Sequence, residues 1–497
     1  MGIIQKQSLL NTGVGYAGVL IGVVNLLFIY PMIDVGDLGA IQFVSVTATV
    51  FAAFGGWGLT TATVHFFPDF KDKERRTGSF FWLLFIGTIV FSTLICLTLW
   101  LLKNPISSAF EDKKAQFLNT LPFILACTFF WAISNYCQAF ASNFNRTVFP
   151  SFLSNFVFKI AQPVLVLLFL WQLFSFADVF KGIVLTFFFI ATSQFLYLRY
   201  RGFITLKIDT LVWNRTNIQN IMKYANFTVL VGVSSILTAQ LDKILIVPMI
   251  DYASLAIFSF ASFMSESIDI PRKAISSIAA PLISESMKKK DYAHVAQIYR
   301  DSALLQFIVG AYLLTGLWVC ADDLFRLMPK NGAVYAQGKY VILILGLSRV
   351  IDMITGTNHE IITFSEHYRF NLRSLTILAV LNIGFNFLFV PTYGFGWGII
   401  GSALATMLAL LIFNVWRTVF IYQKLQIHPF VSAMFYPVLA SLVALLLVYV
   451  APSVSNPILS ILIRGSIVTA VFVFVIVYFK VSSYVDVYVE KIKTWRR

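Results

Sequence analysis

The chain has 497 residues, 58% of them hydrophobic and only 12% charged, with Phe alone supplying 50. Soluble domains carry about a quarter charged residues, so a mean hydropathy of +0.81 excludes a soluble protein, and no polar block is long enough to fold as a separate soluble domain. The formal net charge of +14 would suggest nucleic acid in a soluble protein; here it reads as Lys and Arg in cytoplasmic loops, and no nucleic-acid partner is expected.

Apolar runs of the roughly 20 residues needed to cross a bilayer recur along the whole chain. Their continuity excludes a barrel, whose strands alternate. Only helices and closed barrels satisfy the backbone in lipid, which leaves an all-α polytopic membrane protein. Fourteen spans are predicted, at about 8–31, 39–66, 79–102, 117–142, 149–173, 178–199, 224–248, 252–286, 301–321, 338–364, 372–391, 397–423, 431–451 and 457–480. The first is read as a membrane helix, not a cleaved signal.

An even count puts both termini on one side. With the N-terminus inside, the inner segments hold 23 Lys and Arg against 7 outside. That bias predicts cytoplasmic termini. The largest inner loop, 201–223, contains Trp213 and spaced basic residues. It is either an amphipathic surface helix on anionic lipid or a solvated linker. Cys96, Cys127, Cys137 and Cys320 lie in or beside apolar runs without metal or disulfide spacing.

Pro31-Met32-Ile33-Asp34 recurs as Pro248-Met249-Ile250-Asp251, and Leu38 and Phe43 recur as Leu255 and Phe260, all at an offset of 217 residues. The same offset lays the basic loop Lys71–Arg76 near Lys288–Lys290. Repeats of one orientation imply two six-helix halves related by an axis along the membrane normal. The expected organisation is an N-terminal lobe 1–200, the cytoplasmic loop 201–223, a C-terminal lobe 224–424, and 425–497 holding two further helices and a tail.

This arrangement resembles the multidrug/oligosaccharidyl-lipid/polysaccharide exporter superfamily, and within it the polysaccharide (O-antigen-type) flippases of bacterial inner membranes. The resemblance covers essentially the whole chain. Its carriers are Asn11 to Pro31 followed by Leu38-Gly39, the run Ala62 to Pro68, Gln240-Leu241-Asp242-Lys243, Pro271 with Pro281-Leu282-Ile283-Ser284, and Gly398 with Gly401 to Thr406. It implies two pseudo-symmetric lobes around a central cavity. Alternating access would carry the head of a polyprenyl-pyrophosphate-linked oligosaccharide across, as in lipopolysaccharide assembly. It also implies membrane lipids and other polysaccharide-assembly membrane proteins as partners, a monomer, no catalytic residues, and no cofactor beyond a coupling Na+ or H+.

A pyrophosphate cannot cross hydrocarbon unpaired. The expected anion-binding set is Lys159, Arg272, Lys273 and Arg349, with Lys243 next. Lys159 lies about ten residues into span 5, ~15 Å deep, and Pro271 precedes Arg272-Lys273 and can break the helix. For each cation the alternative is an internal ion pair, Arg349 with Asp352 or Asp269 with Arg272 or Lys273. Arg417 near the inner end of span 12 can snorkel and is read as structural, and Arg464 is read as structural or lipid-contacting. The buried acids Asp242, Glu266, Asp269, Asp352 and, lower, Glu360 beside His359 suggest ion coupling. The resemblance implies a cation site at Asp242, for which Asn382 and Asn386 on one face of span 11, with Thr406 of span 12, offer oxygen atoms. The alternative is neutralisation by the adjacent Lys243.

Spans 1 and 2 contain no Lys or Arg, unlike lipid II flippases, and no mid-span acid, unlike drug antiporters. A multidrug/cation antiporter and a lipid II flippase remain the alternatives within the fold. A membrane glycosyltransferase or polymerase would want a large extramembrane loop with clustered acids or Arg. His65, His294, His359, His367 and His428 are scattered, and no metal spacing, phosphate loop or nucleophile elbow is present.

Overall fold

A computed structural model describes residues 17–71, 74–205, 212–452 and 454–481. All regular secondary structure among them is helical. Twelve helices are long and apolar enough to cross a membrane, a thirteenth span is a pair bent by 42°, and Ala17–Met32 is a shorter apolar helix. They follow the predicted spans in order. Span 1, Ala17–Met32, is the described part of 8–31; the rest of that range lies outside the described residues.

The chain divides into two units, Met1–Ala256 and Ile257–Arg497. The first holds span 2 (Val35–Gly55 and Leu59–Phe70), span 3 (Arg76–Leu101), span 4 (Lys114–Ser142), span 5 (Val148–Leu170), span 6 (Phe176–Tyr200) and span 7 (Arg215–Met249). Its core is aromatic, with Phe80, Phe81, Tyr136 and Phe140 fully buried. Spans 4 and 5 are tied through Gln194 of span 6, which accepts from Ser134 Oγ at 2.9 Å and donates to the Pro150 carbonyl at 3.1 Å. Deep polar groups thus find partners within the unit, as a lipid environment requires.

Span 2 is not continuous. Its helices part at Gly56–Gly58, where Trp57 and Gly58 take left-handed φ of 43° and 70°. Gly58 also comes so close to the Ala225 carbonyl of span 7 that a Cβ would overlap it. Trp57 Nε1 donates to Asn226 Oδ1 at 2.8 Å, and His65 stacks on Tyr224 at 4.1 Å. Span 7 therefore packs along span 2. The division at Ala256 falls inside span 8, whereas the repeat sets the start of the second lobe at 224. Span 7 also starts nine residues ahead of the predicted 224. Asn214 caps it by accepting from Asn217 N at 2.7 Å, so the polar residues 215–223, expected in the loop, form its first turns.

The repeated motif has a local cause. Asp34 caps the helix of span 2, accepting from Gly36 N at 2.8 Å and Asp37 N at 3.2 Å. Asp251 does the same for span 8, accepting from Ser254 N at 2.6 Å. A side-chain oxygen on the orphan amides of the first turn is what an N-cap supplies. The two copies touch, since a Cβ on Gly39 would overlap the Tyr252 carbonyl, and the Phe43 ring meets Tyr252 edge-on at 5.6 Å.

Span 8 comprises Tyr252–Glu266 and Asp269–Lys288, and the second unit holds it from Ile257 onward, with span 9 (Tyr292–Arg326), span 10 (Lys339–Ile354 and Asn358–Phe364), span 11 (Arg369–Phe389), span 12 (Gly398–Leu425), span 13 (Phe435–Val450) and span 14 (Pro457–Tyr478). Span 9 is its axis, and one apolar core runs from Phe307 and Ala311 to Ala440, Val468 and Phe472. At the end of span 9 the buried Asp323 pairs with Arg326 and with Arg464 of span 14, each at 3.1 Å, and accepts from Ser460 Oγ at 2.6 Å. Arg464 is thereby structural.

Candidate functional site

The second unit concentrates the intramembrane charge where two spans are broken. Span 8 bends at Ser267–Ile268, and its second helix begins at Asp269. Pro271 falls in that first turn, where a missing amide hydrogen leaves no bond unmade. In a continuous helix its amide would bond the Ser267 carbonyl, so Pro271 accounts for the break before Asp269 and is tolerated in the first turn of the helix that follows. Asp269 gains from the positive end of the helix dipole, and Arg272 and Lys273 follow on its face. Arg272 donates through Nε to Asp269 Oδ1, and through Nη2 to Oδ2 at 3.3 Å. Lys273 Nζ lies 3.3 Å from Asp269 Oδ2 with its side chain 72% exposed.

Arg272 also reaches span 10, Nε lying 3.4 Å from Asp352 Oδ2. The other oxygen of Asp352 accepts from Asn414 Nδ2 of span 12 at 3.1 Å. The expected alternative of an Arg349–Asp352 pair is thus replaced by a cross-helix pair, because Asp352 faces spans 8 and 12. Arg349 is instead an electrostatic neighbour of Asp269. Its Nε is buried without a hydrogen-bond partner among the described residues.

The break in span 10 at Thr355–Thr357 extends this network. Asn414 Oδ1 accepts from Thr355 Oγ1 and Asn358 Nδ2, both at 3.1 Å. Deeper in the same unit, the buried Arg417 lies 3.1 Å from His359 Nδ1 and donates to Asn371 Oδ1. Snorkelling is not its role; fixed partners on spans 10 and 11 hold it inside. Asn414, Asn358 and Asn371 were invisible as site residues because a lone Asn carries no spacing signal. The Thr355-Gly356-Thr357 step was the available clue to the break.

Asn382 and Asn386 come together as their spacing required. Asn386 Nδ2 donates to Asn382 Oδ1 at 2.6 Å, and Ser402 Oγ of span 12 donates to Asn386 Oδ1 at 2.8 Å. Thr406 is buried one turn beyond Ser402. Ser402 belongs with these oxygens and was not singled out from the sequence. Asp242 and Lys243 lie in span 7 of the first unit, Asp242 buried and Lys243 half-buried. Glu266 ends the first helix of span 8, exposed, and accepts from Ser262 Oγ at 3.0 Å.

Lys159 belongs to the first unit and has a backbone partner. Its Nζ donates to the Gly18 carbonyl at 3.0 Å, while Asn25 Nδ2 returns a bond to the Lys159 carbonyl at 2.7 Å. Both helices carry one wide turn there, Asn25–Ile29 in span 1 and Leu153–Val157 in span 5. Such turns free carbonyls for other donors and are frequent at functional sites.

A family model described as "Polysaccharide biosynthesis protein" matches residues 32–329. No curated protein matches the sequence. The fold is similar to that of the lipid II flippase MurJ in an inward closed conformation, with a TM-score of 0.74 at 13% identity over 95% of this chain and 99% of that one. It is also similar to an inward-facing multidrug resistance MATE family transporter of the MOP superfamily, with a TM-score of 0.65 at 12% identity over 82% of this chain and 94% of that one. A MATE in complex with MaL6 gives a TM-score of 0.55 at 12% identity over 85% and 95%.

Proposed function

Because the chain belongs to the polysaccharide biosynthesis protein family, we propose that it is a flippase for a polyprenyl-pyrophosphate-linked oligosaccharide. It moves the head group from the cytoplasmic to the periplasmic leaflet of a bacterial inner membrane by alternating access, with both termini cytoplasmic. The prenyl tail stays in the bilayer. The observation that carries this reading is the cationic excess in the second unit. Arg272, Lys273, Arg349 and Arg417 face Asp269, Asp352 and Glu360, leaving one net positive charge among polar partners. Lys273 and Arg349 are the least committed to internal partners and are assigned to the pyrophosphate. A diphosphate needs charge-assisted donors to leave water.

Transport is coupled to a Na+ or H+ gradient. Oxygen-rich sites suit hard cations; the Asn382–Asn386–Ser402 cluster of the second unit supplies such oxygens, and the buried acid Asp242 of the first unit is a separate candidate. The test is a proteoliposome assay that follows leaflet access of a fluorescent polyprenyl-pyrophosphate oligosaccharide. Wild-type protein should move the probe, and Lys273→Ala with Arg349→Ala should slow it about tenfold or more while the protein stays folded. No movement by wild type, or full activity in that double variant, would sink the assignment. Transport indifferent to both sodium and pH gradients would remove the coupling.

A further inference from the structure

The first unit contains a cavity of about 290 Å3 where span 2 is broken. Its walls come from spans 2, 4 and 7. Thr60, Thr61, Asn135 and Thr228 face it, and Gly56, Gly58 and Gly232 bare backbone to it. No Lys, Arg, Asp or Glu lines it. Three of these side chains, Thr60, Thr61 and Asn135, make no hydrogen bond among the described residues and are accessible. A second cavity in the same unit, about 330 Å3 beside Phe43, Phe51 and Phe110, presents no polar atom.

Unpaired hydroxyl and amide groups without a formal charge match a ligand that both donates and accepts but is itself neutral. An anion would have no counter-charge there, and a hydrocarbon would strand the Thr and Asn groups away from water. The size suits one ring: it is the volume of about ten water molecules at ~30 Å3 each, at the small end of ligand pockets. We propose that this pocket is a binding site for a single neutral sugar ring, held through its hydroxyls by Thr60, Thr61 and Asn135. The inference rests on the flippase reading for its physiological source and deepens it. The sugar part of the substrate has a site of its own, built from uncharged groups. Position 232 supplies the means of closing it, since a Cβ there meets nothing within 4 Å.

The experiment is saturation-transfer NMR on the full-length protein in nanodiscs. The probes are the methyl glycosides of glucose, galactose, rhamnose and N-acetylglucosamine, with inorganic pyrophosphate as competitor. At least one glycoside should receive saturation from wild type and keep it in the presence of pyrophosphate. Gly232→Leu, which fills the cavity, and the double change Thr61→Ala with Asn135→Ala should each weaken that binding about tenfold or more. Gly232→Ala serves as the folding control. If Gly232→Leu does not fold, the Thr61/Asn135 variant carries the test alone. Failure of every glycoside to bind wild type, or unchanged binding in the variants, overturns the site and leaves a water-filled cavity. Proteoliposome transport is read separately. Binding lost in the variants without any lipid-linked transport by wild type would refute the flippase reading and leave the sugar site standing.

Discussion

Arg272 of span 8 joins two carboxylates that lie on different spans, Asp269 on its own helix and Asp352 on span 10, the latter at 3.4 Å. Asp269 is buried and Asp352 half-buried, and the guanidinium between them offsets their repulsion, with Lys273 and Arg349 also beside Asp269. Removing one partner of a buried pair costs about 3–5 kcal/mol, because the other charge is left uncompensated. Arg272→Ala should therefore lower the thermal stability of the protein in detergent markedly. Adding Asp352→Asn should restore a good part of it. A double variant no more stable than Arg272→Ala would show that the two residues do not depend on each other.

Lys159 is held by geometry as much as by charge. Its ammonium satisfies the Gly18 carbonyl, and its own carbonyl is satisfied by Asn25. Lys159→Met should cost about 1–3 kcal/mol through the unpaired acceptor, measured by thermal unfolding. Lys159→Gln keeps a donor and should recover part of that stability. The same pair separates two roles in transport. Activity kept in Gln and lost in Met would mark a hydrogen-bond clamp; activity lost in both would mark the charge as a substrate contact.

Gly39 tolerates no side chain, because a Cβ would overlap the Tyr252 carbonyl. Backbone on backbone cannot be relieved by a rotamer change, so Gly39→Ala should destabilise by about 3 kcal/mol, the upper part of the overpacking range. Gly465→Ala is the matched control, since nothing stands within 4 Å of a Cβ at that position. Equal yields of folded protein from the two variants would contradict the contact.

Asp323 holds two arginines, Arg326 and Arg464. Asp323→Asn should lower thermal stability by about 3–5 kcal/mol, less whatever Arg326 recovers from solvent. Arg464→Met added to it should recover stability, whereas Arg326→Met should recover less, being the more exposed of the two. A reversed order of rescue would place the main pairing on Arg326.

The order and lengths of the spans were legible because lipid demands long apolar runs, and the repeat was legible because Pro31 to Asp34 and Pro248 to Asp251 do one job, ending a helix and capping the next. Residues near in sequence were paired correctly when a helical turn decided the matter, as with Asp269 and Arg272 or Asn382 and Asn386. Partners chosen by helix packing were not legible. Asp352 lies three residues from Arg349, yet it meets Arg272 and Asn414 because of which face span 10 turns to spans 8 and 12. Arg417 shows the same limit: its position near a helix end suggested snorkelling, while His359 and Asn371 wait for it inside. Start points at Arg215 and Tyr292 lie ahead of the apolar runs because polar turns capped by Asn214 and Asp291 cost nothing outside hydrocarbon.

The pairing of Asp323 with Arg464 sets a condition on biogenesis. Span 14 is a highly apolar segment with an arginine seven residues from its start, and an Arg inside a membrane helix opposes insertion, by about 2.5–3.5 kcal/mol at the centre and less toward the ends. Its neutralising carboxylate, bonded also to Ser460 of span 14, lies 137 residues upstream of that serine, in span 9. When the insertion machinery releases span 14, span 9 must therefore still be within reach, its acid kept from settling on Arg326 alone. The last hairpin of the chain is thus guided to its berth by an electrostatic address that an earlier helix carries through the membrane.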